Sequence, residues 1–340
     1  MSLAEIIAWV LGLAGIAGTA AAIALFPEQV PHAWLAAFAA WIGWPLGSMA
    51  LLLVHALTGG RWGDAIRPQL IGGMRALPLA VPALLVLLAA LPELYPWARN
   101  GVWVGNSWYL NTHFFTGRLV LYAVVWVVLW ALVSLGVYRG WTMMWLAPPA
   151  LMLLMLTCTY MSIDTVMSLE PKFKSSDWGM VTASAGGLYA LAIAALSVAG
   201  RPEVRDDLAQ LLLGLLALWA YLEFMQILII WQGNLPNEIY WYLIRSVGLW
   251  AWLAGLITLG HFMVPFFALL RQRWRRSRAV LVTVAGLIVT MEIVRNWWLV
   301  IPEAGRGIRL VDAAAVLALG GISAAIAIRP IRRARSFEHA

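Results

Sequence analysis

Residues 221–246 read YLEFMQILIIWQGNLPNEIYWYLIRS, two long apolar runs separated by a short polar loop at 232–238. Each run carries one charge, Glu223 before the loop and Arg245 after it. A carboxylate or guanidinium in hydrocarbon costs at least about 2.5–3.5 kcal/mol unless it faces protein, water or a partner. Runs of this kind belong to a helical bundle whose interior receives the charges. The rest of the chain is read for that interior.

The 340 residues are 63% hydrophobic and 11% charged, and the mean hydropathy is +0.83. A soluble domain of this size needs far more charged surface. The composition predicts an all-α, polytopic membrane bundle forming a single integral membrane domain over residues 1–340. The lone Cys158 excludes an internal disulfide and a cysteine-ligated iron–sulfur cluster. The net charge of +7 does not indicate nucleic acid, because the arginines sit in short caps between apolar runs. The lipid bilayer is the expected surrounding, and the 21 tryptophans suit its interfacial belts. The N-terminal run has no basic leader and is too long for a signal-peptide core, so it reads as an uncleaved first span.

A helix crosses about 30 Å of hydrocarbon with about 20 apolar residues. Cutting at polar breaks predicts ten spans, near 3–26, 33–57, 69–91, 116–137, 142–163, 179–199, 208–231, 239–263, 279–299 and 310–329. Pro78 and Pro82 predict a kink in the third. With both termini cytoplasmic, fifteen Lys and Arg residues fall in inside segments, Arg332, Arg333 and Arg335 among them, and six in outside segments. Basic residues favour the cytoplasmic side. The block 271–278, RQRWRRSR, reads as a stop-transfer and anionic-lipid patch.

This orientation turns residue numbers into depths at about 1.5 Å per residue. Glu223 is expected about 12 Å below the outer face, Arg245 about 9 Å, Glu292 about 10 Å and Arg295 about 6 Å. Three successive helices would then gather four charges at one level. Glu292, Arg295 and Asn296 share a helix face by their i, i+3, i+4 spacing. Asp164 and Asp312 are expected at the border of the same layer. Two readings stand here. In one, Glu223–Arg245 and Glu292–Arg295 are neutralising pairs that hold helices together. In the other, the layer is a polar pocket or proton relay open to the outer face.

Among the histidines, only His55 and His261 fall near the inner ends of their spans and are candidates for a haem pair. Interfacial caps explain each equally well. Residues 112–118, THFFTGR, predict a helix start capped by Thr112, and 58–63, TGGRWG, a glycine turn. Residues 164–178 read as a short interfacial segment at the outer surface. No P-loop, dinucleotide fingerprint, zinc motif or nucleophile elbow is present, and no internal sequence repeat is evident.

Four segments carry a family resemblance: LTGGRWG at 57–63, YLNTHFF at 109–115, MSLEPKFKSSDWG at 167–179 and FMQILIIWQGNLPNEIYWY at 224–242. Together, and in this order, they resemble the ActF subunit of the bacterial alternative complex III, a relative of NrfD-type membrane subunits. Glu170, Asn234, Pro236 and Glu238 lie within the matching segments. The resemblance implies ten helices built on two four-helix bundles, inside a quinol-oxidising respiratory assembly. It implies partner subunits carrying the haems and iron–sulfur clusters, a multihaem cytochrome c and an iron–sulfur protein, with no cofactor bound by this chain. It carries over no catalytic residue. The chain is short for that family, which leaves room for a diverged relative working beside a terminal oxidase.

The expected function is therefore a non-catalytic, proton-relaying subunit of a quinol:cytochrome c or quinol:oxidase assembly. The alternatives are an NrfD-like subunit that itself binds and oxidises quinol, and a secondary transporter. Transporters favour broken helices in corresponding halves and charges at the midplane, whereas these charges sit above it. A reduced-minus-oxidised spectrum of the purified chain should show no b-type haem band; such a band would overturn the cofactor-free expectation.

Overall fold

A computed structural model describes residues 1–99 and 106–334, with side chains to residue 329. Arg335 lies outside the described residues, as do the side chains of Arg332 and Arg333. The helices are α1 (Leu3–Leu25), α2 (Val30–Thr58), α3 (Arg61–Met74), α4 (Ala80–Ala89), α5 (Leu91–Leu94), α6 (Thr112–Arg139), α7 (Ala147–Thr165), α8 (Trp178–Val198), α9 (Pro202–Gly233), α10 (Pro236–Leu243), α11 (Gly248–Ile257), α12 (Val264–Leu270), α13 (Gln272–Arg275), α14 (Arg278–Val300) and α15 (Leu310–Ala334). Among the described residues there is no strand. Ten units are long and apolar enough to cross a membrane: α1, α2, α3–α4, α6, α7, α8, α9, α11–α12, α14 and α15. The chain is a multi-pass helical bundle.

Four crossings after α1 pack as one group, with α2 against α3 and α7, and α6 against α4 and α7. The next four form a second group, with α8 against α9 and α14, α9 against α12, and α11 against α14. Helix α2 joins the groups by packing on both α8 and α14, and α1 lies against α15 beside them.

Apolar solvent gives these helices no hydrophobic drive to associate, so close backbone approach has to supply the attraction. Small residues supply it at two seams. A Cβ on Gly47 would come within 2.7 Å of the Gly186 carbonyl carbon, and one on Gly43 within 3.1 Å of Gly186 Cα. Between α1 and α15, a Cβ on Gly12 would sit 2.7 Å from the Ile322 backbone nitrogen, and one on Gly15 2.6 Å from the Ala314 oxygen. Arg329 donates to Glu5 at 2.6 Å, which brings the start of α1 and the far end of α15 to one face. This face is called terminal below, and the opposite one distal. The Arg275–Asp206 pair, 2.8 Å, also lies at the terminal face.

Several local expectations are met and others are corrected. Gly59 and Gly60 take φ of 65° and 104° in the turn between α2 and α3, where only glycine fits without strain. The third crossing breaks at a 3-10 turn, Leu77–Leu79, around Pro78. The cap of α6 is Asn111 rather than Thr112, its Oδ1 accepting from Phe114 N at 2.9 Å. The segment 164–178 is more than a surface strip, because Phe173 and Trp178 are buried and Phe173 stacks on Trp241 at 4.6 Å. The expected eighth span, 239–263, is wrong in register. Helix α10 ends at Leu243, Gly248 has a φ of 56°, and the crossing runs Gly248–Leu270 through a π-helical turn, Thr258–Met263. The apolar run hides this break because hydropathy does not see φ.

Gly47→Val should lower the yield and thermal stability of the purified chain, at a cost of about 1–3 kcal/mol. Gly214→Val, at a glycine with open space around it, should leave both nearly unchanged. Equal melting of the two variants would refute the backbone-contact account.

Candidate functional site

Helices α9 and α14 and the π-helical turn bring together a buried charge cluster in the distal half of the second helix group. Glu223 lies ten residues before the end of α9, about 15 Å along the axis. Glu292 lies eight residues before the end of α14, about 12 Å. The spacing of Glu292, Arg295 and Asn296 puts all three on one face, and all three are buried. Arg295 Nε donates to Glu223 Oε1 at 2.7 Å, and its Nη2 contacts the same oxygen. Its Nη1 reaches Glu292 Oε1 at 3.4 Å. Asn296 Nδ2 donates to Glu292 Oε1 at 2.9 Å. The guanidinium also lies 5.7 Å from the Trp219 ring centre.

One guanidinium therefore serves two carboxylates from different helices. Among the described residues no other lysine or arginine lies within ion-pair distance of Glu223 or Glu292. The expected Glu223–Arg245 pair does not form. Arg245 sits at the break between α10 and α11, above the crossing helix, so its estimated depth is also corrected. It is held by Glu303 at 2.8 Å and by the carbonyls of Trp241, Trp298 and Leu299 at 2.6–3.1 Å. Its guanidinium lies 3.7 Å over the Trp241 ring. Each of its three nitrogens donates, so it acts as a distal pin between α10 and the end of α14.

Asp164 and Asp312 do not border this cluster. Asp164, fully buried on α7, accepts both Arg118 Nε at 2.8 Å and Nη2 at 3.0 Å, together with the hydroxyls of Tyr109 and Tyr122 at 2.9 and 2.7 Å. Burial first, and then the Asp164 carboxylate, push the Tyr109 phenol well above its ordinary range, so it stays a donor. Asp312 binds Arg306 through two contacts of 2.8 Å and accepts from Arg309 N at 2.7 Å, which closes the loop into α15. Depth alone put these acids near the layer; the direction each faces around its helix removes them.

The resemblance segments have structural work. Asn234 ends α9 in the left-handed conformation, φ 48°, and Pro236 opens α10. Glu170 accepts from Lys172 N at 3.1 Å. Glu238 is half-buried in the first turn of α10. His55 packs on Trp62 at 5.4 Å, near Gly60 and Asp64 at the terminal face. His261 is not at an inner end: its helix continues to Leu270, and the ring is fully buried against Trp219, 4.1 Å between centres. The two histidines share no partner, and the haem-pair geometry is absent.

Two cavities meet at Arg295. The larger, about 800 Å³, is lined by Glu223, Tyr242, Arg295 and an aromatic wall including Trp219, Phe262 and Trp298. Lipid-facing side chains such as Phe224 and Ile227 border it. The smaller, about 310 Å³, lies between the helix groups, lined by Gly43, Gly186, Ser162, Glu292, Arg295 and Asn296. A hydrogen-bonded chain leads from the larger cavity to the distal loop. Gln226 Nε2 donates to Tyr242 OH at 2.9 Å, and Ser175 Oγ lies 3.0 Å from Gln226 Oε1 and 2.6 Å from Asp177 Oδ1. Toward the terminal face the packing is aliphatic, with Leu212, Leu216, Leu269, Leu281, Val284 and Ile288 buried.

Sequence reading missed His261, Glu303, Trp219 and Arg118 as members of these sites. Arg118 lies two turns inside α6; the unbroken apolar run after it was the available signal. Glu303 follows the predicted end of its span and gave none. No family model and no curated protein matches the chain.

Removing Arg295 should be worse than removing either acid, because it strands the buried Glu292 carboxylate and the partly buried Glu223 carboxylate together. Arg295→Gln is expected to cost about 3–5 kcal/mol, and Glu223→Gln or Glu292→Gln clearly less, in thermal melts of the purified chain. The opposite order would refute the shared-guanidinium arrangement.

Proposed function

We propose that this chain is a cofactor-free integral subunit of a quinol-oxidising respiratory assembly of the alternative complex III type, and that the Glu223–Arg295–Glu292 cluster exchanges protons with the outer side. It sits in a bacterial cytoplasmic membrane with both termini inside. The four ActF-like segments support the assembly, and with it partner subunits that carry haem and iron–sulfur clusters. The basic residues at the terminal face support the orientation.

The observation that carries the chemistry is one guanidinium against two carboxylates. With both acids ionised, the cluster holds a net negative charge in a largely buried site, with Glu292 buried and Glu223 partly so, at a cost of a few kcal/mol. Binding one proton removes that cost. The cluster is thus a proton-holding site by charge balance alone. Tyr242, Gln226, Ser175 and Asp177 form the polar route toward the distal face. Quinol oxidation releases protons, and a site that takes them up and returns them to the outer side suits that reaction.

A second reading is favoured by the larger cavity. Its volume falls in the range of ligand pockets, its walls are aromatic, and Glu223 and Tyr242 can accept and donate to ring hydroxyls. Quinol would then bind beside the cluster. Filling the cavity with Ala254→Trp separates the readings: a raised quinol KM favours binding there, and an unchanged KM favours the relay alone.

In the assembled complex, Glu223→Gln and Glu292→Gln should each lower proton-coupled turnover about tenfold or more, with haem content and assembly retained. Wild-type turnover and proton release in both variants would remove the relay.

A further inference from the structure

His261 is the buried titratable group that the relay as stated leaves unused. It is fully buried, and neither ring nitrogen has a hydrogen-bond partner. Its Nε2 lies 3.9 Å from Glu292 Oε2, the carboxylate oxygen that is itself buried and unpartnered. The two unsatisfied atoms face each other. A hydrogen bond between them needs the gap to close by about 1 Å, within reach of small side-chain rotations.

The backbone is built to put the ring there. His261 lies in the π-helical turn Thr258–Met263. One wide turn rotates the following residues around the helix, and such turns recur at functional sites. Gly260 lets the turn close on α14: a Cβ there would come within 3.0 Å of Met291 Sδ. Trp219 of α9 packs against the ring, tilted by 30° with 4.1 Å between centres. From α14 the charged groups facing His261 are Glu292 and, behind it, Arg295; from α9 it is Glu223, through Arg295.

We infer that His261 is a third proton-bearing member of the cluster, exchanging one proton with Glu292 across this gap. This rests on the relay reading above. The step moves one proton and no electrons: the O–H bond of Glu292 Oε2 breaks and an N–H bond forms at His261 Nε2. Before it, Glu292 is a neutral acid, His261 is neutral with its hydrogen on Nδ1, and Glu223 is paired with Arg295. After it, Glu292 carboxylate faces a His261 imidazolium, and Glu223 still holds Arg295. The total charge is zero in both states, so the transfer needs no compensating ion. Two matched pairs replace one pair and one neutral acid.

The test is infrared spectroscopy of the full chain in lipid nanodiscs over a pH series, with Glu292→Gln identifying the carboxylic-acid band of Glu292. His261→Phe keeps the ring against Trp219 and removes both nitrogens; His261→Gln is the second variant, and gel filtration confirms folding of each. If the proton is shared between the two sites, the Glu292 band should rise about twofold in both variants, from partial to full occupancy. A band absent in the wild type that appears in either variant supports the inference equally. A Glu292 band of the same intensity with and without His261 overturns it and leaves the relay standing. No Glu292 band in any variant overturns both.

Discussion

The contact on which the second helix group depends is the guanidinium of Arg295. It ties α9 to α14 through Glu223 and stays within reach of Glu292 on its own helix. Neither acid alone justifies burying a cation at this depth, and the two together over-compensate it. Under the relay proposed above, stability and proton affinity have the same source. An arrangement with one acid would be a simple clamp. The extra carboxylate leaves the clamp unbalanced in charge, and in the proposed relay a bound proton restores the balance.

The two other buried arginines behave differently. Arg118 and Arg245 each meet a carboxylate together with neutral acceptors or phenols, and each leaves its acid satisfied. Both lie near the distal face, one in each four-helix group; Arg118, near the start of α6, reaches the end of α7, and Arg245, just after α10, reaches the end of α14. The correspondence extends to the turns that follow those helices, Met167–Leu169 and Ile301–Ala304. Similar pins recur in the two groups without a recurring sequence. The Arg295 cluster has no counterpart in the first group among the described residues.

Hydropathy and caps made the ten crossings legible, because each needs only length and apolarity. The face shared by Glu292, Arg295 and Asn296 was legible too, since helical spacing fixes it. Pairing across helices was not. Rotation about each axis decides whether Asp164 turns toward Glu292 or toward Arg118, and depth carries no information about rotation. His261 escaped for a different reason: the π-helical turn shifts register inside an uninterrupted apolar run. The break at Gly248, which moved Arg245 out of its expected helix, is equally silent in hydropathy.

The aliphatic packing below the cluster has an electrical consequence. Leu212, Leu216, Leu269, Leu281, Val284 and Ile288 form an insulating slab with no water-binding side chain among them. A voltage across a bilayer falls where charge cannot move, at about 2.3 kcal/mol per elementary charge for each 100 mV. Under the relay proposed above, most of it would drop between Arg295 and the terminal face. The acids would then follow the acidity of the distal compartment, with the slab holding the gradient against short circuit.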